Sequence, residues 1–285
     1  MPIDPARAIG ADLGELPFSW EPSDVQLYHL AIGAGALPTD PRELRYTYER
    51  DLHVLPSFAT VAANLRTYDP PTVSFPGVDI DLAKVVHGSQ AISLHRPIPV
   101  RGKAVAHSRI RDVFDKGKAA VIVQETQVAG EDGGPLWTAR SSIFARGEGG
   151  FGGERGPSAK AEPPQRQPDA VVATPTLPQQ ALLYRLCGDR NPLHVDPAFA
   201  AAAGFPAPIL HGLCTYGLVL KAVVDAVLDG DPTRVGSWSA GFAGVVYPGE
   251  TLRTSIWADG EQYLVHVDAV ERNAPVLSGG VLGAA

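Results

Sequence analysis

The longest helical periodicity in the chain runs through residues 211–229. Leu213, Tyr216, Gly217, Leu220, Val224 and Val227 recur there on related faces, and Gly230 ends the run, so one long apolar helix is expected. Shorter helical patterns occupy 25–35, where Ser23 or Asp24 can cap, 55–64, with Pro56 in the first turn, and 181–186. Another runs from Pro197 to Ala203, with Gly204 just past its end. Alternating or β-branched apolar residues mark strands at 44–48, 89–94, 102–114, 119–129 and 136–145. The second half repeats the theme at 170–174, 234–246, 251–257, 263–272 and 276–282. Asp115-Lys116-Gly117 and Glu131-Asp132-Gly133-Gly134 are tight-turn sequences between consecutive strands, which implies antiparallel pairing.

Between these halves the pattern lapses. Residues 147–168 turn to Gly, Pro and charge, so the chain is expected to divide into a unit at 1–150, a linker at 151–168 and a second unit at 169–285. The Pro-rich residues 67–77 read as an irregular loop, where a helix would continue if the first half were a full copy of the second. Val86-His87-Gly88 faintly echoes Leu210-His211-Gly212. Two α+β units, each with an antiparallel sheet, are the most economical architecture.

Composition narrows the function classes. A chain of 285 residues with 45% apolar residues can bury a sizeable core. Its net charge of −7 lacks the basic footprint of a nucleic-acid binder. No run has the length and apolarity of a membrane span, and the N-terminus has no apolar leader segment, so a soluble cytoplasmic protein is expected. The two cysteines, Cys187 and Cys214, make neither a zinc set nor a disulfide framework.

Candidate chemistry is concentrated in Asp189-Arg190-Asn191-Pro192-Leu193-His194-Val195-Asp196. Residue types alone leave three readings open. Asp, Asn and Pro build solvated turns. Asp189, Asn191, His194 and Asp196 are all possible metal ligands, although the spacing fits neither an EF-hand loop nor a zinc site. An acid–base pair on a proline-stiffened turn is the third reading. His211-Gly212 opens the long helix, where unpaired N–H groups and a close-approaching glycine could hold a carbonyl oxygen; the same glycine could simply permit tight packing. Gly147-Glu148-Gly149-Gly150-Phe151-Gly152 fits a dinucleotide-loop spacing, but Arg155-Gly156-Pro157 follows in place of a helix, so that reading is set aside. Lys116 and Lys118 sit on a hairpin turn, solvated or available to a phosphate.

The stretch 184–194, continued to Ala200, resembles the signature of the MaoC-like (R)-specific enoyl-CoA hydratases, also called hydratase 2. His87-Gly88, Asp115-Lys116-Gly117, the glycine-rich 147–153 and His211-Gly212 extend the resemblance over nearly the whole chain, in the two-unit form of the family. The resemblance implies a double hotdog fold with a degenerate N-terminal unit that provides acyl-chain space. It implies catalysis by Asp189 and His194, oriented by Asn191, with the Gly212 N–H on the thioester oxygen. His87, Gly88, Lys116, Arg190 and Phe242 would contact the coenzyme A thioester. It further implies an acyl-CoA substrate, no metal, no separate cofactor and a homodimer. Within the family the sequence looks most like the actinobacterial hydratases of steroid side-chain β-oxidation. A hotdog acyl-CoA thioesterase and a non-catalytic acyl-CoA-binding subunit are the alternative readings, both disfavoured by the intact Asp-x-Asn-Pro-x-His sequence.

Overall fold

The computed structural model describes residues 3–157 and 162–285. After a short helix α1 (Pro5–Ala8), strand β1 (Asp12–Trp20) leads into helices α2 (Pro22–Ala31) and α3 (Pro41–Thr47). A small hairpin, β2 (Val73–Phe75) and β3 (Val78–Ile80), precedes four long strands: β4 (Val85–Leu94), β5 (Gly102–Asp115), β6 (Ala119–Gly130) and β7 (Pro135–Arg146). The second half runs β8 (Ala170–Pro175), α4 (Gln180–Tyr184), α5 (Pro197–Ala202), α6 (Gly212–Val227), β9 (Val235–Phe242), β10 (Thr251–Asp259), β11 (Gln262–Ala269) and β12 (Ala274–Ala284). None of the described helices is long and apolar enough to cross a membrane.

Ten strands form one antiparallel sheet in the order β1-β5-β6-β7-β4-β9-β12-β11-β10-β8. Read outward from the centre, each half repeats the same order: β4-β7-β6-β5-β1 on one side and β9-β12-β11-β10-β8 on the other. The two units meet where β4 pairs with β9, from Ser89↔Gly241 to Ser93↔Ser237. This is the layout expected of two hotdog units in one chain.

The units differ in what covers the sheet. Every residue of α6 from Cys214 to Val224 is buried, the polar Thr215 and Lys221 included. A helix enclosed on all sides needs apolar residues all round, and its sequence supplies them. Lys221 is tolerated because its ammonium meets Glu43 at 2.7 Å and Asp225 at 2.8 Å, while the Tyr46 hydroxyl donates to Asp225 at 2.9 Å. At the corresponding place in the first unit, 55–64 folds not as the expected helix but as two 3-10 turns, Pro56–Thr60 and Ala62–Asn64.

Three other expectations shift. Residues 44–48 are not a strand: the Asp40 carboxylate caps Arg42 N–H and Pro41 takes the first helical position, so α3 forms there. The apparent alternation of Leu44, Tyr46 and Tyr48 is a helix that buries Tyr46 alone. The cap of α2 is Glu21, in a reciprocal box with Asp24, rather than Ser23 or Asp24. Within the loop at 67–77, Val73–Phe75 pairs with β3.

Candidate functional site

The catalytic-looking stretch is shaped by its glycine. After α4 the chain tightens into a 3-10 turn, Arg185–Cys187, and Gly188 leaves it with φ 106. A Cβ at Gly188 would lie 1.9 Å from the Asn64 carbonyl oxygen, so a backbone turn of the first unit packs directly on the loop of the second. Beyond Gly188, the Asp189 carboxylate accepts the Asn191 N–H at 3.1 Å. Asn191 caps the next turn, Pro192–His194, by accepting Leu193 N–H at 3.0 Å. Asp196 caps α5 through Ala198 N–H at 2.8 Å. Turn chemistry and a shaped site therefore coexist in the same residues.

His194 is buried, and its Nδ1 lies 2.8 Å from the Ile209 carbonyl. A carbonyl only accepts, so Nδ1 carries the proton and Nε2 keeps its lone pair. Burial lowers the His194 pKa below 6.5, against the opposing pull of Asp189, so the ring stays neutral at neutral pH. Asp189, Asn191, His194, Gly212, His87 and Phe242 all line one cavity of about 720 Å³, walled by both units. Gly212 is the first residue of α6, whose leading N–H groups have no intrahelical acceptor. A Cβ at Gly212 would press on the Phe242 ring at 3.1 Å, so this glycine also serves packing. His87 reaches the cavity from β4 and packs near Phe242, ring centroids 5.8 Å apart. Burial lowers its pKa too.

Three of the expected contact residues are not among those that line this cavity. Gly88 sits at a bulge of β4, where a Cβ would meet Ser142 Oγ at 2.7 Å, and is not in the cavity lining. Lys116 is outside the lining, its ammonium held by the carbonyls of Arg155 and Pro157. Arg190 is also outside, donating to the Thr67 carbonyl at 3.4 Å with its guanidinium 5.5 Å from the Tyr68 ring centroid. The glycine-rich loop at 147–153 is not an open phosphate cradle. Gly150 and Gly152 N–H groups donate to Asp115 at 2.9 and 2.7 Å, and with Gly117 they hold that carboxyl below the usual range. The echo between His87-Gly88 and His211-Gly212 is not structural: the first lies in a strand, the second at a helix start.

The residue that sequence reasoning passed over is His211. In the sequence it stands only as the neighbour of Gly212. Its ring lies on His194, centroids 3.8 Å apart and tilted 31°, with Tyr184 behind it at 4.9 Å. Its Nε2 is 3.4 Å from the Asp189 carbonyl oxygen, and its Nδ1 is buried with no hydrogen-bond partner. Burial, then the adjacent His194, hold its pKa far below 6.5. One ligand-capable atom each from Asp189, His194 and His211 falls within 4.8 Å of the others. With its Nδ1–H on the Ile209 carbonyl, His194 keeps one lone pair, on Nε2, and a neutral imidazole next to a carboxylate is a pairing suited to acid–base work.

The MaoC like domain family matches residues 159–278, and the MFE-2 hydratase 2 N-terminal domain family matches residues 18–147. The enoyl-CoA hydratase ChsH3 of Mycobacterium tuberculosis is 58% identical over 280 residues, covering 98% of each chain. The MaoC-like dehydratase structure from Phytophthora capsici superposes with a TM-score of 0.84 at 30% identity, covering 97% of this chain and 96% of that one. A Mycobacterium tuberculosis protein described as having a double hotdog fold shares the fold at 13% identity, with a TM-score of 0.57 over 97% of this chain and 96% of its own.

Proposed function

The chain belongs to the MaoC-like, hydratase 2 family, and from that premise we propose that it adds water to trans-2-enoyl-CoA thioesters, giving (3R)-3-hydroxyacyl-CoA. The observation that carries the proposal is the meeting, in one cavity, of Asp189, a His194 fixed in the Nε2-lone-pair tautomer, and the N-terminus of α6.

The conjugated thioester makes C3 electrophilic and gathers negative charge on its oxygen as water adds. The Gly212 N–H stabilises that charge; one such donor is typically worth ~2.7–4 kcal/mol of barrier. Asp189 and His194 hold a single water between them. The neutral Nε2 of His194 takes a proton as the oxygen bonds to C3, and C2 takes a proton from the same acid–base cluster, so one water is added in total. Asn191 fixes the turn that carries both groups. His87 and Phe242 flank the thioester. Each step is a proton transfer or an addition, so the reaction needs no cofactor beyond the coenzyme A of the substrate.

The first unit provides the acyl compartment, because the space under its sheet holds two 3-10 turns where the second unit has a 16-residue helix. We assign that room to a bulky acyl group of the steroid side-chain type. The cavity of about 720 Å³ and the 58% identity to ChsH3 support this assignment. The test is loss of enoyl-thioester absorbance on crotonyl-CoA and on a steroid-sized enoyl-CoA, with chiral analysis of the product. No loss on either substrate, or release of free thiol in its place, would overturn the proposal, the second in favour of a thioesterase.

A further inference from the structure

The inner face of the first unit's sheet carries two apolar clusters with a polar band between them. At one end Ile122, Ile143 and Ala145 pack under the β2–β3 hairpin. At the other, Ile92, Val128 and Trp137 join the main core. Between them, Gln90, Ser141 and Gln124 stand side by side across β4, β7 and β6, in registered pairs Gln90↔Ser141 and Gln124↔Ser141. In the second unit the equivalent strands, β11 and β12, present Val265, Val267 and Leu277, all buried. A sheet face under a helix is apolar. The amides and hydroxyls occur on the face that has no such helix above it.

Some of this band is satisfied internally. Ser108 and Thr126 hydroxyls bond at 2.8 Å, and Gln90 donates to the Ala91 carbonyl at 3.2 Å. Two groups are not. Gln124 donates only a long 3.4 Å contact to Thr126, and its carbonyl oxygen and the Ser141 hydroxyl have no hydrogen-bond partner among the described residues. Both side chains line the cavity. Directly opposed residues on neighbouring strands have Cβ atoms ~5 Å apart, so one ligand oxygen can reach both. Counting strand rise and spacing, Gln124 lies roughly 12 Å along and across the sheet from His87. That is too far to touch a thioester held beside His87.

We propose that Gln124 and Ser141 form a hydrogen-bonding station for an oxygen on the acyl group itself, a hydroxyl or ketone carried far from the thioester. Ser141 and the Gln124 amide donate to a ketone, and the Gln124 carbonyl also accepts from a hydroxyl. This deepens the proposed hydration of bulky enoyl-CoA thioesters and rests on it. It makes the acyl compartment selective for oxygenated substrates as well as large ones, because a hydrocarbon there would leave both groups unpaired.

The test uses two enoyl-CoA thioesters of the same ring bulk, one with a distal ring ketone and one without, on the intact enzyme and on Gln124→Met and Ser141→Ala. The readout is the ratio of the two kcat/KM values. The intact enzyme should favour the oxygenated substrate by about tenfold or more, and each variant should bring the ratio toward one, chiefly through KM. A ratio near one in the intact enzyme overturns the inference. So does a ratio that survives in both variants, or variants that slow both substrates equally, which would place the station on the pantetheine arm. Turnover by the intact enzyme separates the layers: if neither crotonyl-CoA nor either ring substrate is hydrated, the hydratase proposal fails; if the ring substrates are hydrated without the preference, only the station fails. Thermal melts of both variants confirm folding, and Ser141→Ala, the smaller change, stands alone if Gln124→Met does not fold.

Discussion

Replacing Gly188 by alanine tests how far the two units depend on each other. Two costs add at this position. The left-handed φ of 106 is strained for any L side chain, at ~1–2 kcal/mol. The new Cβ would also lie 1.9 Å from the Asn64 carbonyl oxygen and 2.6 Å from its carbon, and backbone cannot rotate away as a side chain can. That carbonyl accepts the Thr67 N–H at 2.8 Å, so moving it breaks a hydrogen bond worth roughly 0.5–1.5 kcal/mol and loosens a turn that lines the cavity. With the lost packing, about 3–4 kcal/mol of destabilisation is expected, a fall in Tm of roughly 5–7 °C for a chain of this size. Gly204→Ala is the matched control: its φ is +86, but a Cβ there meets nothing within 4 Å, so only the strain of about 1 kcal/mol applies. Because Asp189 is the next residue, displacement of the loop should also lower kcat, by ~10²-fold for a shift near 1 Å. The assay is a thermal melt followed by circular dichroism, with hydration of an enoyl-CoA on the same samples. If Gly188→Ala melts within about 2 °C of Gly204→Ala and keeps the parent kcat, the inter-unit contact does not shape the site.

Asp189→Asn and His194→Ala should fold normally and lose about 10²–10⁴ in hydration rate; near-parent turnover in either would remove that residue from the catalytic pair. Since burial lowers the His194 pKa, the rate should stay level through neutral pH and fall only below 6.5, as protonation removes the Nε2 lone pair. A pH profile of kcat/KM whose acid limb starts above neutrality would contradict this. His29 should make the fold acid-sensitive. It donates Nδ1–H to the Tyr46 carbonyl at 2.8 Å and accepts Leu55 N–H on Nε2 at 3.1 Å, and burial lowers its pKa from 6.5 to about 4. The unfolded chain takes up this proton below 6.5 while the native state resists until about 4, so stability is full above 6.5 and declines across that window by about 3 kcal/mol. Urea midpoints of the parent and His29→Gln at neutral and acid pH should show a smaller acid loss in the variant; equal losses would refute the role of His29.

The long strands were legible in the sequence because each has one face on the core and turn residues at its ends. β1 was not, because most of it is exposed and an edge strand with little buried surface leaves no alternating pattern. α3 carries a strand-like alternation because only Tyr46 is buried, too little to set a helical period. The chemistry of 189–194 was legible as residue types but ambiguous as purpose, since the same Asp and Asn side chains bond their own backbone. The stacking of His211 on His194 is a contact across 17 positions that no local pattern encodes. Lys116 and Asp115 show the reverse: a hairpin turn that reads as solvated or open to a phosphate bonds to its own loop, a pairing visible only once the loop folds back.

Joining β4 to β9 within one chain has a consequence for counting. Two identical units related by that seam would each own a helix start and a catalytic loop, hence two centres for every seam. In this chain one long helix and one Asp-x-Asn-Pro-x-His loop serve both halves. A tight-binding analogue should therefore saturate the protein at one equivalent per polypeptide, half the occupancy of a symmetric pair with the same number of strands.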